Sequence, residues 1–478
     1  MFDESGRVVG PSEVRPSTDA TQWRPYPMQL GQHAVLPLPL PLPCPLATMA
    51  HSRVMLLPLL MLAAIPATIL EESKVPPYVL PDPLVCADGR KVTDAKTWES
   101  VRRPEVMKLV EENIFGRTPN TQAAQAERVI EVREEDKQAL GGKATRSQWK
   151  VWPIGKKGPA FDLLLYTPNN IKGPAPVFLG LNFGGNHTTV EDTAVFLPST
   201  WVSKQWTTVD KVNRATEASR GAQAARWQLE MIIARGYGMA TVYDGDFEPD
   251  HPEGWKESYR AALSPQGTQT QWADGQWGCI GAWAWGLSRT LDALEKNPLV
   301  DAKRVAVIGH SRLGKASLWA GAQDARFALV ISNDSGCGGA ALGKRIFGET
   351  VGVISGHYKG KGFPYWFTAR YETYSEKEEL MPLDQHYLLA LVAPRPLYVA
   401  SAAEDLWADP QGEFLGAVHA DPVYHVLGRP GLGTKEYPKI SQSIGQTIGY
   451  HVRPGKHDIN AEDWQNFLNF ADRVLTKK

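Results

Sequence analysis

The run Arg304-Val305-Ala306-Val307-Ile308-Gly309-His310-Ser311-Arg312-Leu313-Gly314-Lys315-Ala316-Ser317-Leu318-Trp319 decides the fold. Its apolar start is short and continuous, which suits a strand buried on both faces. Two glycines then bracket a serine, and the residues from Leu313 onward read as helix. A serine at such a junction is pushed out on a sharp elbow, with the amide of the next residue free at the helix N-terminus to hold an oxyanion. Ser311 is therefore the candidate nucleophile. The second glycine falls three residues after the serine rather than two, so the run departs from a strict G-x-S-x-G.

Working outward, further strand-like runs lie at 161–166, 177–181 and 238–243 before the elbow, and at 328–331 and 397–400 after it. Between them are helical patterns, such as 283–295, where Leu287, Leu291 and Leu294 share one stripe. Near the end Asn460 can cap a helix in which Trp464, Phe467, Leu468, Ala471 and Leu475 repeat at helical spacing. Alternation of this kind implies an α/β fold, a three-layer sandwich around a mostly parallel sheet. No internal repeat or linker divides the chain after about residue 100. The expectation is one domain over 71–478, with insertions near 188–225 and 347–380.

The N-terminal residues read differently. The alternation Leu36-Pro37-Leu38-Pro39-Leu40-Pro41-Leu42-Pro43 lacks amide donors and suits extended polyproline, so 1–48 is expected to be a non-native or disordered extension. Met49 opens a second beginning: His51 and Arg53, an apolar run over 54–62, then small residues Ala63, Ala64 and Ala67 before Glu71-Glu72. That order is a secretory signal peptide over 49–70, and it places the mature start near Glu71 and the protein outside the cytoplasm, secreted or periplasmic.

The chain of 478 residues is 43% hydrophobic and 22% charged, with a net charge of −1. The first two figures permit a large core under a soluble surface. The balanced charge offers no footprint for nucleic acid. Cys44, Cys86, Cys279 and Cys337 have no zinc-site spacing and are too sparse for a disulfide scaffold. No metal or cofactor is expected, and no partner beyond the substrate; a monomer is expected.

A serine nucleophile needs a base and an orienting acid. In the order Ser, acid, His of α/β-hydrolases, the histidine lies on a loop before the last helix, where Gly455-Lys456-His457-Asp458 stands. His457 is the candidate base. His451, its rival, reads as buried strand. Two acids are open: Asp405, in the loop after the strand at 397–400, and Asp334, at the end of the strand that follows the nucleophile's helix. Asp405 occupies the usual position and is favoured.

Taken together, Gly309 to Lys315, Ser332-Asn333-Asp334-Ser335-Gly336-Cys337-Gly338-Gly339-Ala340, Asp405-Leu406-Trp407-Ala408-Asp409-Pro410 and the His457 loop resemble the bacterial branch of the glucuronoyl esterases, carbohydrate esterase family 15. The resemblance runs from Pro81 to the C-terminus. It implies a metal-independent serine esterase that cleaves the ester between 4-O-methyl-glucuronic acid side chains of xylan and lignin alcohols. It also implies that Arg312 supplements the oxyanion hole, that Lys315 donates to sugar hydroxyls, and that Glu349 and Trp407 belong to the sugar site. Family members place the acid at either of the positions held here by Asp334 and Asp405. Fungal members carry a cysteine where this chain has His310, so their disulfide cannot form; whether Cys279 pairs with Cys337 is not legible.

Two rivals remain in view. One is another carbohydrate esterase, for instance one removing acetyl groups, since a triad fixes acyl transfer and not the acyl group. The other is a non-catalytic glycan-binding protein that keeps the fold. Dinucleotide binding is disfavoured because Gly336-Cys337-Gly338-Gly339 lacks the G-x-G-x-x-G spacing. The loop Asn182-Phe183-Gly184-Gly185-Asn186 is expected to wall the pocket.

Overall fold

The computed structural model describes residues 68–475 apart from 122, 207–211, 265–274 and 359–361. The expected extension and nearly all of the expected signal peptide lie outside the described residues. Among the described residues ten strands form one sheet: β1 (Val129–Gln138), β2 (Ala144–Trp152), β3 (Phe161–Pro168), β4 (Ala175–Asn182), β5 (Gly238–Tyr243), β6 (Val300–His310), β7 (Leu329–Asn333), β8 (Leu397–Ala402), β9 (Ile444–Gly445) and β10 (Ile448–Arg453). Their order is β1-β2-β3-β5-β4-β6-β7-β8-β10-β9. The pairs from β5 through β4, β6, β7 and β8 to β10 are parallel. Antiparallel pairing is confined to β1, β2 and β3 at one margin and β9 at the other.

Side-chain alternation divides the core into two layers. Val177, Leu179 and Leu181 of β4, with Val305 and Val307 of β6, face helices α1 (Cys279–Leu294), α2 (Arg312–Gln323) and α3 (Pro410–Val426). Phe178, Ala306 and Ile308 face the other way, onto α4 (Ala461–Val474) through Trp464, Phe467 and Phe470. Full burial of each such large apolar side chain is worth about 1.5–3 kcal/mol. The three-layer sandwich is therefore as expected. Asn460 caps α4 in a reciprocal box with Asp463, which fixes where that helix begins and hence the length of the loop before it.

The β1–β2 hairpin has no counterpart among the strands read from sequence. Its first strand runs Val-Ile-Glu-Val-Arg-Glu-Glu-Asp-Lys-Gln and is half-exposed to exposed throughout. At the sheet's margin it has no need of a continuous apolar run. Buried Arg146 of β2 holds it by ion pairs to Glu134 (2.8 Å) and Asp136 (3.4 Å).

Candidate active site

Parallel strands deliver their C-terminal ends to one edge, and the loops leaving that edge build the site. In register, His310 of β6 pairs with Asn333 of β7, and Asn333 with Ala400 of β8. Ala402 of β8 in turn pairs with Arg453 of β10. Ser311 and Asp334 thus leave neighbouring strands at one level. The Asp405 and His457 loops leave side by side, tied by Ala403 N to Arg453 O (2.8 Å) and Glu404 N to Gly455 O (3.0 Å).

Ser311 has φ 58° and ψ −130°, a left-handed elbow that costs a non-glycine residue roughly 1–3 kcal/mol. The turn is tight enough that a Cβ on Gly309 would lie 2.0 Å from the Leu313 carbonyl oxygen, so only glycine fits there. The first turn of α2 begins at once, which aims its amides at the space over Ser311. The ring of His310 packs on that of His457, centroids 4.5 Å apart, and brings the His457 loop over the elbow. Burial, with the neighbouring His457 and Arg226, pushes the His310 imidazole well below its usual range, and its Nδ1 bonds Asn333 Oδ1 at 2.6 Å.

His457 Nδ1 meets Asp405 Oδ2 at 2.6 Å, with the aspartate 5% exposed and the histidine 23%. A proton on Nδ1 shared with a carboxylate makes Nε2 the basic nitrogen. Asp334, also with positive φ (43°), is buried beside them, and its Oδ1 accepts from Ala402 N at 2.7 Å. Burial and the nearby Asp405 push its carboxyl well above the usual range. Ligand atoms of Asp334, Asp405 and His457 all lie within 4.8 Å of one another, a spacing that would also suit a metal ion. His457 Nδ1 and Asp405 Oδ2 are already bonded to each other, and Arg453 Nη2, 3.5 Å from Asp334 Oδ2, supplies positive charge there.

Both cations of α2 are buried rather than lying on a solvated helical turn. Arg312 Nη1 donates to Asp250 Oδ2 (2.8 Å) and the guanidinium sits over Phe183, at 5.3 Å, in the loop expected to wall the pocket. Lys315 Nζ donates to Ser335 O (2.5 Å) and to Glu349 Oε2 (3.3 Å). Glu349 in turn donates its amide to Trp407 O (2.8 Å). Gly348 makes that contact possible, because a Cβ there would lie 2.3 Å from the Leu406 carbonyl oxygen. Trp407 is 45% exposed. All eight residues singled out in the sequence converge at this edge.

Three supporting residues escaped the sequence reading. Arg453, fully buried, donates Nε to Asp463 (2.7 Å), Nη1 to Pro454 O (2.9 Å) and Nη2 to the carbonyls of Lys456 (3.1 Å) and Asp458, bracketing His457. Glu413 of α3 accepts from Ser335 N and Oγ, Gly336 N and Ser401 Oγ. Asp250 is the third. Cys279 and Cys337 are buried free thiols, so they form no disulfide.

This sheet, elbow and His–Asp pair define the class of α/β-hydrolase serine esterases. Comparison with known proteins narrows the class. The family model for glucuronyl esterase of fungi matches residues 271–428. A carbohydrate esterase from an unknown prokaryotic organism is 49% identical over 85% of this chain and 92% of that protein. The solved structure of a promiscuous CE15 esterase from a marine bacterial metagenome is 48% identical, with TM-score 0.78 over 85% of this chain and all of that one. A glucuronoyl esterase from Solibacter usitatus is 46% identical, with the same TM-score and the same coverage. The 4-O-methyl-glucuronoyl methylesterase 1 of Phanerochaete chrysosporium matches over a shorter stretch, 36% identical across 31% of this chain and 32% of that protein. The chain belongs to the glucuronoyl esterases, carbohydrate esterase family 15, and is a carboxylic ester hydrolase.

Proposed function

We propose that the protein hydrolyses the ester between 4-O-methyl-glucuronic acid side chains of xylan and lignin alcohols, by acyl transfer through Ser311. The observation that carries this reading is the hydrogen-bonded His457–Asp405 pair packed over the Ser311 elbow, with two buried cations one helical turn apart beside it. His457 takes the proton of Ser311 as Oγ attacks the C6 carbonyl of the uronate ester. The oxyanion forms against the first amides of α2 and the Arg312 guanidinium. His457 then protonates the departing alcohol, and water repeats the attack on the glucuronoyl-enzyme. Asp405 is the working acid; Asp334 shapes the pair from beneath.

Lys315, Glu349 and Trp407 favour a uronate over a bare acyl group. An ammonium and a carboxylate held 3.3 Å apart offer a donor and an acceptor to adjacent sugar hydroxyls, and an exposed indole suits a sugar face. The substrate ester carries no charge at C6, so the cations serve the oxyanion and the hydroxyls. We further propose a secreted or periplasmic monomer whose mature chain begins near Glu71, after a signal peptide over 49–70. Among the described residues no helix is long and apolar enough to cross a membrane.

A second reading is broader acyl specificity, favoured by the relative described as promiscuous. Hydrolysis of a benzyl ester of glucuronic acid beside a simple acetyl ester separates the two. The expected result is clear preference for the uronate ester. Acetyl-ester activity alone would move the protein to the broader reading, and inactivity on both would leave a glycan-binding protein.

A further inference from the structure

A guanidinium stabilises a developing oxyanion best when it is already in place, because ordering it during the reaction consumes the gain. Three groups of contacts fix Arg312. Asp250 Oδ2 accepts from its Nη1 at 2.8 Å. The other carboxylate oxygen, Oδ1, accepts from the Tyr365 hydroxyl at 2.9 Å and the Trp366 indole N–H at 2.7 Å. Phe183, Phe363 and Trp366 present their rings 5.3, 5.8 and 5.0 Å from the guanidinium carbon. The side chains of Arg312 and Asp250 are 8% and 15% exposed, so water competes little for the bond. Burial, with Asp250 beside it, pushes the Asp244 carboxyl well above the usual range.

The partners of Arg312 come from three separate stretches: the loop after β4, the loop after β5, and the 347–380 insertion. Asp250 joins them, with one oxygen on the cation and the other on the insertion.

We propose that Asp250 is a positioning residue for ester hydrolysis, holding the Arg312 guanidinium where the oxyanion forms and fastening the 363–366 loop against that same cation. The inference rests on the reading of Arg312 as an oxyanion donor. Asp250→Asn tests it at nearly constant size, because the amide turns an NH2 toward either Arg312 or the Tyr365 and Trp366 donors.

The experiment is steady-state hydrolysis of a benzyl glucuronate ester by wild type, Asp250→Asn, Arg312→Ala and the double variant, with melting temperatures. Arg312→Ala is expected to lower kcat by about 10²–10³-fold. Asp250→Asn is expected to lower kcat by about tenfold or more with KM nearly unchanged, since misplacement by ~1 Å suffices for such losses. The double variant should be no slower than Arg312→Ala, because a positioning residue has nothing left to position. If Asp250→Asn fails to fold, Asp250→Glu keeps the charge and displaces it by one methylene, and the same kcat-selective loss is expected. Wild-type kcat in the folded Asp250 variant, or losses that multiply in the double variant, would mean that Asp250 only fastens a loop, overturning the inference while leaving Arg312 its role. Wild-type kcat in Arg312→Ala would overturn the reading of Arg312, and the inference with it.

Discussion

The two sides of the cleft are built differently. On the sheet side, Ser311, Asp334, Asp405 and His457 stand within five residues of strand ends whose register sets their spacing. On the loop side, Arg312 and Lys315 share one helical turn, yet each is gripped by a carboxylate from elsewhere, Asp250 62 residues before it and Glu349 34 residues after it. The sheet side inherits its geometry from backbone hydrogen bonds. The loop side must make its geometry from side-chain pairs. Damage to the first should therefore act on bond breaking, and damage to the second on binding and on the alignment of charge.

The largest effect expected concerns the acid. Asp405→Asn should lower kcat by about 10⁴, through loss of the His457 tautomer, with little change in KM. Asp334→Asn should cost less, since Asp334 bonds the Ala402 amide and faces Arg453 rather than bonding His457. Rates of both variants on one ester decide the matter, and equal losses would break the assignment. A smaller effect is expected from Lys315→Met. It removes charged hydrogen bonds worth about 1.5–3 kcal/mol, and KM for the uronate ester should rise while that for an acetyl ester holds. A loss confined to kcat would place Lys315 with Arg312 at the oxyanion rather than at the sugar hydroxyls.

The smallest expected effect is on stability. Burial pushes the Glu413 carboxyl from 4.5 up to about 7. Folded chain then binds a proton that unfolded chain has lost, so this contribution is full below pH 4.5 and declines as pH rises through 7. In Glu413→Gln the fall of melting temperature between those limits should be shallower. A profile parallel to wild type would show that Glu413 keeps an ordinary pKa.

The same contrast explains what the sequence made legible. The elbow could be read because strand, glycine, serine and helix are consecutive, and His457 because Asn460 announces the last helix. Asp405 could be favoured over Asp334 because it follows the penultimate core strand, the usual place of the acid. Asp250 could not be found. Phe247-Glu248-Pro249-Asp250 has no periodicity, and its partners are 62 and 115 or more residues away. Nor could Arg453 be found, because its fork brackets the histidine loop through carbonyls that no local pattern announces. The charged β1 strand lay at an edge where the buried-run criterion does not apply.

Everything in this mechanism turns on Ser311 as the nucleophile. Inactivation with a fluorophosphonate, followed by mapping of the modified peptide, tests it directly. A single adduct on Ser311 is expected, forming in step with loss of uronate-ester hydrolysis and slowed by free glucuronate. An adduct on another residue, or full activity in protein labelled at Ser311, would contradict it.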